Sequence, residues 1–181
     1  MNKRQSKIIL VIVFLIFNFT CYADEIDIAY SGVDNIYHVA PGIYRSGQPS
    51  AKDMARLEAL GLRSVLNLRE WHTDDDEAED TALKLYHVQM SAGSIDDDEI
   101  VRALRAVKDA PKPLLIHCWH GSDRTGAVVA MYRIIFEEWD KEVAIQELMQ
   151  PQYGHHYRIY DNIAPYIRDA DIEALKARIF E

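Results

Sequence analysis

The stretch from Leu114 to Gly126 constrains this chain more than any other, because with its flanks it joins three different patterns in succession. Pro113-Leu114-Leu115-Ile116 is a short apolar run, the mark of a buried strand. Ala127 to Phe136 is apolar nearly all round, the mark of a central helix. Between them, His117-Cys118-Trp119-His120-Gly121-Ser122-Asp123-Arg124-Thr125-Gly126 has room only for one compact loop. A loop that closes so tightly onto a helix start aims its backbone N–H groups inward. Such a nest, with the positive end of the helix behind it, binds an anion. Arg124 adds a planar fork suited to two oxygens of a phosphate group. Cys118 then lies beneath the anion, where a positive field favours the nucleophilic thiolate. A core cysteine at a strand end, followed by a solvated arginine, would leave Gly121 and the strand–loop–helix setting unexplained.

The full string His117-Cys118, five residues, Arg124-Thr125-Gly126 resembles the signature of the cysteine-dependent protein tyrosine and dual-specificity phosphatases. Sulfurtransferases also hold a cysteine in an anion loop, but a shorter one. Two further strings, Tyr44-Arg45-Ser46-Gly47-Gln48-Pro49 and Val65-Leu66-Asn67-Leu68-Arg69, resemble bacterial and fungal-type dual-specificity phosphatases. Ala130 to Ile134 and Trp139-Asp140-Lys141 are similar to exported tyrosine phosphatases of Gram-negative bacteria. The resemblance thus spans most of the chain.

The first residues read as a leader. Lys3, Arg4 and Lys7 precede an apolar run from Ile8 to Phe17, and Cys21-Tyr22-Ala23 has the small residues of a cleavage site. Residues 1–23 are expected to be a signal peptide and 24–181 a single domain, periplasmic or secreted. The apolar run is short for a spanning helix, so no stable membrane insertion is expected after cleavage. Losing three basic residues and no acid takes the net charge from −9 to −12, which argues against nucleic acid as a partner. It also leaves Cys118 as the sole cysteine. A lone thiol in an oxidising compartment is a liability unless its reactivity is used.

The remaining sequence alternates strand and helix patterns up to Cys118 and is helical afterwards. Short strands are expected at 36–40, 43–46, 63–68 and 84–90, and helices at 50–60, 96–108, 141–149, 162–170 and 171–180. Ser50 with Asp53, and Asp96 with Glu99, are capping pairs. This is an α/β pattern: a central, mostly parallel sheet flanked by helices on both faces. Asp74, Asp75, Asp76, Glu77, Glu79 and Asp80 crowd one loop, read first as a solvated surface and second as a flap with Trp71 and His72 at its base.

The resemblance implies hydrolysis of phosphate monoesters through a cysteinyl-phosphate, with no cofactor and no metal. Cys118 is the nucleophile. Arg124 and the N–H groups of Trp119, His120, Gly121, Ser122 and Asp123 hold the phosphoryl oxygens. His117 orients the loop, and the Thr125 hydroxyl assists thiolate departure. The usual general acid, an aspartate after the fourth strand, has no counterpart in Ser91-Ala92-Gly93-Ser94-Ile95. Asp123 is the replacement expected here, because myotubularin-like and mycobacterial lipid phosphatases carry the same Asp-Arg pair. Asp74 to Asp76 and Asp96 to Asp98 are the alternatives. Substrates are then phosphoproteins or small phosphoesters, with inositol phosphates or phosphoinositides as the second reading. A phosphate-binding module without turnover is the third. His155 and His156, adjacent in sequence, have no partners at metal-ligand spacing and read as core or surface.

Overall fold

The computed structural model describes residues 25–181; the leader expected over 1–23 lies outside them. Five short strands form one sheet: β1 (Tyr37–Ala40), β2 (Ile43–Ser46), β3 (Ser64–Asn67), β4 (Lys84–His87) and β5 (Leu114–His117). Their order is β1-β2-β5-β3-β4. The β1–β2 hairpin is antiparallel, turning at Pro41-Gly42, and every other pairing is parallel. The fold expected from the sequence, a mostly parallel sheet with helices on both faces, is the one found.

Side-chain alternation along the strands separates two cores. Tyr44, Val65 and Leu115 point to one face, where α1 (Ala51–Ala59) packs Met54 and Leu57 against them. Leu66, Leu114 and Ile116 point to the other. There α2 (Asp97–Asp109), α3 (Asp123–Phe136), α4 (Lys141–Leu148), α5 (Ile163–Asp169) and α6 (Ile172–Phe180) share a single core. The distribution is uneven because every helix after β5 joins α3, whose Ala127, Val128, Val129, Ala130 and Met131 are all buried. Among the described residues no helix is long and apolar enough to cross a membrane. Capping boxes fix the starts of α1, through Ser50 and Asp53, and α2, through Asp96 and Glu99.

Parallel strands end together, so the loops leaving them meet at one edge. The last rung across the sheet is Ser46, His117, Asn67 and His87, four polar residues in register. The chain departs from that rung into the loops that build the site.

Candidate active site

The loop from Cys118 to Ser122 is shaped from behind. Its carbonyls are drawn outward one after another: the backbone N–H of Gln48 donates to Trp119 O (3.0 Å), Asn35 Nδ2 to His120 O (2.8 Å), and Arg45 Nη2 to Gly121 O (2.7 Å). With the carbonyls turned out, the peptide N–H groups face the inside of the bowl, where an anion would lie. Gly121 has φ +75°, and a Cβ there would come within 2.4 Å of Ser46, so the loop can press onto the β2 end only with glycine. Arg45 is buried at 1% exposure, and its guanidinium lies 4.1 Å above the Tyr153 ring. Cys118 is buried at the floor of the bowl, within electrostatic range of Arg45 and Arg69. Arg124 reaches back to Leu68 O (3.4 Å) and keeps a buried Nε–H without a partner; the buried Thr125 hydroxyl also has none. Unpaired buried donors around a bowl are what an oxyanion would satisfy.

His117 ties this loop to another. It is fully buried, with Nδ1 3.1 Å from Cys118 O and Nε2 2.7 Å from Asp74 Oδ2. The other Asp74 oxygen accepts from Gln48 Nε2 (2.9 Å) and Asn67 Nδ2 (3.0 Å). Burial alone would raise the Asp74 pKa, but the His117, Gln48 and His72 neighbours outweigh it and hold the carboxyl below its ordinary value. The expectation of a solvated acidic surface therefore fails at Asp74. That residue is a buried pillar, while Asp75 and Asp76 remain exposed.

A model of the tyrosine phosphatase family matches residues 32–177, from the turn before β1 to within α6. The chain belongs to that family. The dual specificity protein phosphatase TpbA of Pseudomonas aeruginosa is 34% identical over 146 residues, covering 78% of this chain and 65% of TpbA, just short of two thirds of its length. The structure of a cysteine-to-serine TpbA variant in complex with phosphotyrosine superposes with a TM-score of 0.73 at 28% identity, covering 91% of this chain and 99% of that one. The inositol diphosphatase SIW14 of Saccharomyces cerevisiae is also similar. Its core catalytic domain, in complex with citrate, has a TM-score of 0.67 at 28% identity, covering 80% of this chain and 90% of that one.

Placing the family's general acid on Asp123 meets a physical objection. Asp123 opens α3, is buried, and is already spoken for: Oδ1 accepts from His155 Nδ1 (2.7 Å) and the His156 backbone N–H (2.8 Å), and Oδ2 lies 2.8 Å from His156 Nδ1. Burial opposes ionisation, but these donors prevail and lower its pKa. An acid must hold a proton at working pH, so this is the wrong direction. Asp96 to Asp98 are also removed from the site: Asp96 caps α2, Asp97 accepts from the Tyr166 hydroxyl, and Asp98 pairs with Arg178.

Trp119 and His120 of the loop border a cleft of about 720 Å³, together with Gln48, Arg69, His72 and Glu77. A smaller recess beside it brings His72 and Trp71 together with Arg124. Arg69 lies 4.3 Å above the Trp119 ring and bonds Gln48 Oε1 (2.9 Å). Trp71 is 87% exposed. His72 Nε2 contacts Glu77 Oε1 at 2.9 Å, and Glu77 Oε2 is buried without a partner. Sequence reasoning missed Asn35, Arg45, Gln48, Asn67 and Asp74 as loop supports. For Arg45, Gln48 and Asn67 the signal was present, in the two strings that resemble dual-specificity phosphatases.

Proposed function

We propose that the protein hydrolyses phosphate monoesters, phosphotyrosine foremost, through a cysteinyl-phosphate. The observation that carries this reading is the outward pull on the carbonyls of Trp119, His120 and Gly121, which leaves N–H groups facing the bowl above Cys118. The Cys118 thiolate attacks phosphorus in line, and the P–O bond to the leaving group breaks with its electron pair on oxygen. Water then attacks phosphorus, returning a proton to the group that protonated the leaving oxygen; the P–S bond breaks, and inorganic phosphate leaves with the thiolate restored. Arg124 and the loop N–H groups hold the equatorial oxygens, where charge spreads in the transition state. The leaving oxygen takes its proton from the His72–Glu77 pair. His72 borders both the recess holding Arg124 and the wider cleft, and Glu77 holds its ring.

Trp119, Trp71 and the Arg69 plane supply flat surfaces for an aromatic ring. TpbA, solved with phosphotyrosine, supports the same choice. Several inositol diphosphatases among the relatives favour a second reading, an inositol pyrophosphate substrate. Asp34 and Glu77 on the cleft wall, with no lysine in the loop, weigh against so highly charged a molecule. The leader pattern supports action outside the cytoplasm.

A substrate panel tests both the class and the acid. Phosphotyrosine peptides should be turned over with higher kcat/KM than phosphoserine peptides or inositol pyrophosphates; the reverse order would replace the first reading with the second. Across phenyl phosphates of rising leaving-group pKa, His72→Asn should slow the poorest leaving groups by about 10²–10⁴-fold and the activated ones far less. Asp123→Asn should slow all of them alike. An effect of Asp123→Asn confined to poor leaving groups would restore Asp123 as the acid.

A further inference from the structure

Two groups of side chains among the described residues have the donor types and spacing of a metal site. One, His72 with Asp74 and Glu77, is closed to an ion: both Asp74 oxygens are engaged, by His117 on one side and by Gln48 and Asn67 on the other. The second lies at the catalytic loop itself. There a ring nitrogen of His120, a carboxylate oxygen of Asp123 and a ring nitrogen of His156 lie within 4.8 Å of one another.

This second group is built as ligand sites are built. Metal-bound carboxylates are held by outer hydrogen bonds that fix which oxygen faces the ion. Asp123 Oδ1 is held twice, by the His155 ring and the His156 backbone N–H. That leaves Oδ2 to the site, where it now bonds His156 Nδ1 at 2.8 Å; an ion would replace that hydrogen bond, with the two atoms parting to about 3.3 Å, the spacing of tetrahedral ligands. The His120 ring lies 5.3 Å from the His156 ring, is exposed, and can rotate toward the same point. The His155 ring is nearly buried, so its grip on Oδ1 does not depend on solvent. Neutral His156 needs only a tautomer change to offer the Nδ1 lone pair, with the proton moving to Nε2.

We propose that His120, Asp123 and His156 form a binding site for a divalent transition-metal ion of the Zn²⁺ class, at the rim of the phosphate bowl. Two imidazoles and one carboxylate suit Zn²⁺, at about 2.0–2.2 Å per ligand, and not Mg²⁺ or Ca²⁺, which require oxygen shells. Three protein ligands leave a fourth position open. His120 also borders the substrate cleft, so that position lies beside the entering phosphoester. The ion would join the catalytic loop to the segment carrying His155 and His156. This site does not depend on the proposed hydrolytic activity.

Calorimetric titration of ZnCl₂ into the Cys118→Ser protein tests it, since the serine removes the thiolate as a competing ligand. One Zn²⁺ should bind per site, and MgCl₂ should give no heat of binding. His120→Ala, an exposed substitution that the fold tolerates, should weaken Zn²⁺ binding about 10-fold or more, and His156→Ala likewise. His155→Phe, which removes only the outer support, should weaken it about 10–100-fold. His72→Ala should leave it unchanged. Circular dichroism melting of each variant separates loss of the site from loss of the fold. Zn²⁺ affinity unaffected by His120→Ala and His156→Ala, binding abolished by His72→Ala, or no saturable binding at millimolar Zn²⁺ would overturn the proposal.

Discussion

At the scale of single residues, Arg124 illustrates why side-chain shape outweighs charge here. It stands second in α3, and its guanidinium is braced at Leu68 O, with Nε–H still free. A lysine would place one point charge where two parallel donors are needed. Arg124→Lys should therefore lose nearly as much kcat/KM toward phosphotyrosine as Arg124→Ala, measured under the same steady-state conditions. Recovery of most of the rate by lysine would mean that charge alone suffices. Cys118 and Arg124 were legible in the sequence because their spacing is local and the loop that joins them is short. The partners of Asp123 were not legible, for the opposite reason. Its neighbours in the chain suggest an acid, but its partners, His155 and His156, come from more than thirty residues away.

Among the elements, the link between the 70–80 loop and β5 matters most for stability. Asp74 and His117 form a buried pair, and Asp74 also anchors Gln48 and Asn67. Removing one member of a buried pair strands the other, at a cost of about 3–5 kcal/mol. Asp74→Ala should thus lower Tm by roughly 6–20 °C for a domain of this size. The pH dependence has a definite sign. The folded pKa of Asp74 is depressed, so its stabilisation is present above the unfolded carboxyl value, about 3.9, and is lost as pH falls through the folded one. The wild type should lose stability in that acid range, and Asp74→Ala should lose less there, as read by thermal melts at stepped pH. A variant with unchanged Tm at neutral pH would show that the pillar carries no load. Nothing in six acids within seven positions distinguishes Asp74 from its neighbours. Its burial follows from where β3 and β5 end, a tertiary fact without a local sequence mark. The helices and their caps, by contrast, were readable because periodicity and capping pairs are local: Ser50 with Asp53 and Asp96 with Glu99 stand where the pattern put them.

On the scale of the whole molecule, parallel strands deliver four loops to one edge, and the site is assembled from all parts of the chain. Asn35 before β1, Gln48 after β2, Arg69 after β3 and Tyr153 after α4 each touch the catalytic loop or a residue that braces it. The strand–helix alternation made the layered architecture legible. The uneven sharing of helices between the two faces was not, because no local pattern says which face a helix covers. If the leader is cleaved as its pattern suggests, mass spectrometry of the exported protein should give a chain beginning at Asp24. An intact Met1 in a membrane fraction would mean an uncleaved anchor. The central claim is that Cys118, in a bowl of backbone N–H groups, is the nucleophile. Its most direct test is the steady-state hydrolysis of phosphotyrosine by wild type and Cys118→Ser, with ligand binding measured in parallel. A folded serine variant should keep phosphotyrosine binding and lose turnover by about 10⁴-fold or more. Turnover near the wild-type rate in that folded variant would contradict the account.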